Sequence, residues 1–159
     1  MNTKHLHILL ADDDKDDCLF FEEALAEMRV SAILTAVHDG EELMQFLHTL
    51  SGTLPDILFL DLNMPRKNGF ECLAQIKLNK KLRKLPVVIF STSYEQEVVN
   101  LLYDNGAHYF IRKPSLFAQF KKIILYVLTL IAQEPVTKPA KENFVLAVES
   151  SLVFEPIIK

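Results

Sequence analysis

The feature that most constrains this chain is an alternation along its first 134 residues. Short runs of consecutive apolar residues, each stopped by acids, hydroxyls or a basic pair, alternate with longer stretches of helical spacing. Leu6-His7-Ile8-Leu9-Leu10-Ala11 ends in Asp12-Asp13-Asp14, and Ile57-Leu58-Phe59-Leu60 ends in Asp61. Val87-Val88-Ile89-Phe90 ends in Ser91-Thr92-Ser93, and the run over 107–111 ends in Arg112-Lys113-Pro114. A fifth run, 32–37, is β-branched and apolar. Strands that are apolar throughout have no face to offer water, so both faces must be covered.

The stretches between supply the cover. Residues 16–28 carry Leu19, Phe20, Glu23, Ala24 and Glu27 at helical spacing, with the apolar members on one side. Asp39-Gly40-Glu41-Glu42 reads as a capping box for a second helix that presents Leu43, Phe46, Leu47 and Leu50. Phe70, Leu73 and Ile76 mark a third. A fourth, about 95–103, stops at Asn105-Gly106 and takes its cap from Ser91-Thr92-Ser93. Ser115 caps a fifth that runs to about 133, with Leu116, Phe117, Phe120, Ile123, Ile124, Val127 and Ile131 inward and Leu125 and Leu128 off that stripe. Strand-helix alternation with right-handed connections predicts a doubly wound α/β fold of flavodoxin type, with five parallel strands and five helices. Residues 1–134 make that domain. Residues 135–159 are an extension, too short to fold alone, whose apolar segments Phe144-Val145-Leu146 and Leu152-Val153-Phe154 leave three readings open: packing on the last helix, association, or disorder.

Composition narrows the function. A formal net charge of −4 gives no generic surface for nucleic acid. The longest apolar stretch, 123–132, is half of what a bilayer requires, and the start carries no cleavage signal, so a cytoplasmic protein without membrane contact is expected. Cys18 and Cys72 lack metal-ligand spacing and fit reduced thiols. His5 and His7 read as surface histidines, and Asp16 and Asp17 as first-turn acids that complement a helix dipole.

In an open α/β sheet the ligand site lies beyond the carboxyl ends of the strands. Those ends gather the carboxylates of Asp12, Asp13 and Asp61, the hydroxyl of Ser91 and the ammonium of Lys113. Crowded carboxylates repel, and a hard divalent cation such as Mg²⁺ relieves the conflict. A carboxylate can attack phosphorus, while a lysine and a hydroxyl stabilise phosphoryl oxygens. The constellation suits formation of a phospho-aspartate.

The motifs Ile8-Leu9-Leu10-Ala11-Asp12-Asp13-Asp14, Leu60-Asp61-Leu62-Asn63-Met64-Pro65-Arg66-Lys67-Asn68-Gly69, Phe90-Ser91-Thr92-Ser93 and Arg112-Lys113-Pro114 resemble, in that order, those of the receiver domains of two-component response regulators. The resemblance covers roughly residues 4–133. It implies Asp61 as phosphoacceptor, with Mg²⁺ bound by Asp13 and Asp61, by Asp12 through water and by the backbone carbonyl of Asn63. It implies Lys113 and Ser91 at the phosphoryl group, Ser91 and Phe110 as the switch pair, and a cis bond before Pro114. Thr92 is bulkier than the small residue common after the switch hydroxyl, and Phe110 lacks the hydroxyl of the frequent Tyr. The turn Arg66-Lys67-Asn68-Gly69 is similar to that of small regulators associated with phytochrome-type kinases.

The expected function is therefore a stand-alone phosphorelay signalling protein, not an enzyme beyond its own self-catalysed phosphorylation and dephosphorylation, and without an organic cofactor. A histidine kinase or phosphotransfer protein would supply the phosphoryl group. Partners would be a downstream protein on the face of the fourth helix, fifth strand and fifth helix, and a second copy through the last helix and tail. Two other classes use similar parts. A haloacid-dehalogenase-like phosphatase would need an acid two residues past Asp61, where Asn63 stands. A flavin-binding module would need a hydroxyl-rich loop after the first strand, where Asp12-Asp13-Asp14 stands.

Overall fold

The computed structural model describes residues 5–132, 138–148 and 154–156. Five strands and five helices alternate as expected: β1 (Leu6–Ala11), α1 (Lys15–Met28), β2 (Ala32–Val37), α2 (Gly40–Thr49), β3 (Ile57–Leu60), α3 (Gly69–Leu78), β4 (Val87–Ser91), α4 (Gln96–Asp104), β5 (Tyr109–Arg112) and α5 (Phe117–Ala132). The chain then adds a short 3-10 turn (Lys141–Asn143), β6 (Val145–Val148) and β7 (Phe154–Pro156). The sheet order is β2-β1-β3-β4-β5-β6-β7. The expected five-stranded sheet is thus corrected to six parallel strands and one antiparallel strand, β7. The doubly wound fold is unchanged.

Strand alternation sorts the core into two layers. Leu9, Leu58, Leu60, Val87, Ile89 and Phe110 face α2, α3 and α4. Ile8, Leu10, Phe59, Val88, Phe90 and Ile111 face α1 and α5. The second layer is built around Phe21, Phe59, Phe90 and Phe120, whose rings meet edge to face, Phe21 and Phe59 at 4.8 Å between centroids. That geometry adds to the burial of the rings themselves.

Local signals were partly redistributed. Asp39 accepts from the Glu42 N–H at 2.8 Å, but Glu42 reaches back to the His38 N–H, one residue beyond a capping box. The reciprocal box forms at α3, between Asn68 and Glu71. None of Ser91-Thr92-Ser93 caps α4, whose N-cap residue is Glu95 without a side-chain bond. The first bond of α5 runs from the Phe120 N–H to the Leu116 carbonyl, so the helix starts later than a Ser115 cap would place it. Leu116 therefore stands outside the helix and is 61% exposed, whereas Leu128 is buried in the layer that holds Leu146 of β6.

Residues 144–146 of the extension lie along the edge of β5. Phe110 pairs with Val145 and Ile111 with Leu146, and the Phe110 N–H donates to the Phe144 carbonyl at 3.0 Å. Phe144 is buried, with its ring edge-on to Tyr103 of α4 at 5.2 Å. The Tyr103 hydroxyl donates to the Pro139 carbonyl at 2.9 Å, and the Lys138 ammonium lies over the Tyr103 ring. The Leu152-Val153-Phe154 reading lies mostly outside the described residues.

Candidate functional site

The carboxyl ends of β1, β3, β4 and β5 meet where β1 and β3, non-consecutive strands, are neighbours. Backbone bonds fix them: the Asp12 N–H to the Val37 carbonyl, the Asp61 N–H to the Ala11 carbonyl, and the Lys113 N–H to the Ser91 carbonyl, at 2.9–3.0 Å. Carboxylate oxygens of Asp12, Asp13 and Asp61 all lie within 4.8 Å of one another. Asp12 and Asp61 are buried and Asp13 is exposed, so the trio opens to solvent on one side. Asp12 Oδ1 accepts from the Asp14 N–H at 2.9 Å, and Asp14 in turn caps α1 through the Asp16 and Asp17 amides.

The loop after Asp61 is held tightly. Asp61 Oδ1 accepts from the Asn63 N–H at 3.4 Å, and the Gly69 N–H donates to the Leu62 carbonyl at 2.9 Å. A Cβ on Gly69 would sit 2.5 Å from the Asp61 carbonyl oxygen, and one on Gly40 only 1.9 Å from that of Lys67. Arg66, at φ 70°, reaches Asp39 at 3.5 Å.

Lys113 closes the site from β5. Its Nζ lies 2.8 Å from Asp12 Oδ2, 2.7 Å from Asp17 Oδ2 and 4.0 Å from Asp61 Oδ1. The Phe90 ring is 5.3 Å away on its apolar side. Burial would lower the Lys113 ammonium, but its bonds to Asp12 and Asp17 outweigh that and hold it above its ordinary value. Burial pushes the Asp61 carboxyl up to about 7, with Lys113 pulling it down and Asp12 pushing further up. Burial raises the Asp12 carboxyl as well, against the pull of Lys113. Two buried carboxyls held above their ordinary range, beside an exposed third, form a hard-oxygen donor set that a divalent cation fits.

Ser91 is fully buried at the end of β4, its Oγ accepting from the Ser93 N–H at 3.2 Å. Phe110 lies on β5 beneath Tyr94, ring centroids 6.0 Å apart, and the Arg112 guanidinium covers the outer face of Tyr94 at 5.0 Å. The structure thus brings Asp12, Asp13, Asp61 and Lys113 together, with Asn63 tied to Asp61 through its amide. Ser91 and Phe110 stand on the adjoining strands. Sequence reasoning left out three participants. Asp17 pairs with Lys113 and is not only a first-turn acid. His38 Nδ1 meets the Asp12 carbonyl at 3.2 Å, and Tyr94 covers Phe110. Asp17 is one turn beyond Asp13 in sequence, the one signal that could have placed it near the site.

Cys18 and Cys72 are both free, and burial pushes each thiol up to about 11. His5 and His7 are engaged by the hydroxyls of Ser31 and Thr35. No helix among the described residues is long and apolar enough to cross a membrane.

Response regulator Rcp1 of Synechocystis sp. is 31% identical over 137 residues, which cover 84% of this chain and 92% of that protein. The phosphorylated cyanobacterial phytochrome response regulator RcpA superposes with a TM-score of 0.76 at 33% identity, covering 86% of this chain and all of that one. The Mn²⁺-bound form of Rcp1 gives a TM-score of 0.73 at 31% identity, covering 85% and 99%. The response regulator receiver domain model matches residues 8–125, a span that contains the ends of β1, β3, β4 and β5 that form the site; the chain belongs to that family and serves two-component signalling.

Proposed function

We propose that this receiver takes a phosphoryl group on Asp61 from the phosphohistidine of a kinase or phosphotransfer protein. One Asp61 carboxylate oxygen forms a bond to phosphorus as the bond from phosphorus to the imidazole nitrogen breaks, and the imidazole keeps the electron pair. Asp12, Asp13, Asp61 and the Asn63 backbone carbonyl would hold Mg²⁺, which when bound screens the carboxylates and the transferring oxygens. Lys113 supplies the second positive charge at the phosphoryl group, and Ser91 a hydrogen bond. Positioning and charge stabilisation are all that such a transfer asks of a protein. The observation that carries this reading is the convergence of three carboxylates within 4.8 Å, with Lys113 4.0 Å from Asp61. Phosphorylated RcpA and Mn²⁺-bound Rcp1 are relatives named in the two states this reading assigns to the chain.

Ser91 and Phe110 then carry the change to the face of α4, β5 and α5. Residues 1–134 are the receiver. Residues 135–159 are an extension, whose described residues 144–146 lie along the β5 edge of that face, where a downstream protein or a second copy would meet the molecule. The setting is cytoplasmic, with the chemistry confined to the chain's own Asp61. Intact-mass measurement after incubation with acetyl phosphate tests the reading. The wild type should gain one phosphoryl group only with Mg²⁺, and Asp61→Asn none. Full modification of that variant would remove Asp61 from the role.

A further inference from the structure

Asp17 is the shorter of the two carboxylate contacts that hold Lys113, and it lies outside the acidic trio. It stands in the first turn of α1, three residues past the N-cap Asp14, where a carboxylate is ordinarily a solvated complement to the dipole. Here the side chain is only 22% exposed, and its partner lies 96 positions away on the end of β5. The Lys113 side chain is 7% exposed and backed by the Phe90 ring, so the ammonium has little freedom except among its carboxylates.

An ammonium carries three N–H donors. Asp12 at 2.8 Å and Asp17 at 2.7 Å take two of them. Asp61 Oδ1, at 4.0 Å, is beyond hydrogen-bond range, so the third donor has no protein hydrogen-bond partner among the described residues. A phosphoryl group on Asp61 would bring its oxygens toward that third donor. An ammonium bonded directly to Asp61 would instead stabilise that carboxylate before transfer and make it a weaker nucleophile.

We propose that Asp17 is a positioning residue for phosphoryl transfer: with Asp12 it holds the Lys113 ammonium short of Asp61, where it meets the phosphoryl oxygens and leaves the attacking carboxylate free. The inference rests on Asp61 as phosphoacceptor. In the step itself an Asp61 oxygen bonds to phosphorus as the bond from phosphorus to the donor's leaving atom breaks (the imidazole nitrogen of phosphohistidine, or the acyl oxygen of acetyl phosphate); that atom keeps the electron pair, and Lys113 stays protonated throughout. Asp17→Asn keeps the size of the side chain and removes its charge, so Lys113 loses one anchor and closes on Asp61.

The test uses the full chain with acetyl phosphate and Mg²⁺, together with NMR of the ¹⁵N-labelled Lys113 ammonium. Asp17→Asn should slow the gain of phosphoryl mass about tenfold, as expected for loss of one charge-assisted contact. Asp17→Glu should recover most of the rate, and Asp16→Asn should match the wild type. The Lys113 ammonium signal, sheltered in the wild type and in Asp16→Asn, should shift or broaden in Asp17→Asn. An Asp17→Asn protein with the wild-type rate and an unmoved Lys113 signal overturns the proposal. So does an Asp17→Glu protein that folds, as its melting curve shows, but fails to recover the rate. A wild type that takes up no phosphoryl group fails at Asp61 instead, a result distinct from either.

Discussion

Asp13 is the exposed member of the acidic trio, so its removal should disturb the fold little and the cation site greatly. A ligand that binds only the folded state stabilises it by about 2.7 kcal/mol at a hundredfold excess over Kd. Mg²⁺ should therefore raise the melting temperature of the wild type, and Asp13→Asn should abolish that rise while melting normally without metal. Ser91→Ala should still accept phosphate on Asp61, because in the proposed transfer Lys113 and Mg²⁺ carry the charge. It should lack the phosphorylation-dependent NMR shifts of Tyr94 and Phe110, a loss worth about 1.5–3 kcal/mol of coupling. His108 gives a pH signature. Burial first, then Lys77 and Lys138, push its imidazole down to about 4, and its Nδ1 accepts from the Val87 N–H at 3.3 Å, which demands the unprotonated ring. The folded value lies below the unfolded one, so the contribution is complete above about 6.5 and is lost as pH falls toward 4. The loss should approach about 3 kcal/mol in urea titrations, and His108→Asn should flatten it. Asp12, Asp13, Asp61 and Lys113 were legible in the sequence because each ends an apolar run. Asp17 was not, because its partner is fixed only by the folding of β5 against α1.

At the scale of elements, the second helix and the loop beyond Asp61 fit against each other through glycine. Gly40→Ala would drive a Cβ to 1.9 Å from the Lys67 carbonyl oxygen, a backbone atom that cannot step aside cheaply. It should cost at least about 2 kcal/mol in chemical denaturation, and it should slow phosphorylation by displacing the loop that carries Asn63. Asn68→Ala removes the reciprocal cap of α3 and should cost about 1 kcal/mol by the same measurement. The positions of the helices were readable from spacing, and their caps less so. Asp39 and Asn68 are both good N-caps by type, and which one completes a box depends on where Glu42 and Glu71 find amides after packing.

For the whole molecule, the largest departure from the sequence reading is the sixth parallel strand. Phe144-Val145-Leu146 is too short and too apolar to declare a partner, and its pairing with β5 is settled by the buried Phe144 and by an edge that would otherwise stand open. Deleting residues 143–159 should lower the melting temperature by several degrees, on the order of 5 °C, while leaving phosphorylation in place; sedimentation of the same variant reports any change in association. The pairing also has a consequence for a single proton. The amide hydrogen of Phe110 is spoken for by the Phe144 carbonyl, so it trades with deuterium only in molecules whose extension has lifted from the sheet. Its exchange rate, measured with and without a phosphoryl group on Asp61, converts directly into the free energy by which a signal at one end of the sheet loosens or tightens the strand at its edge.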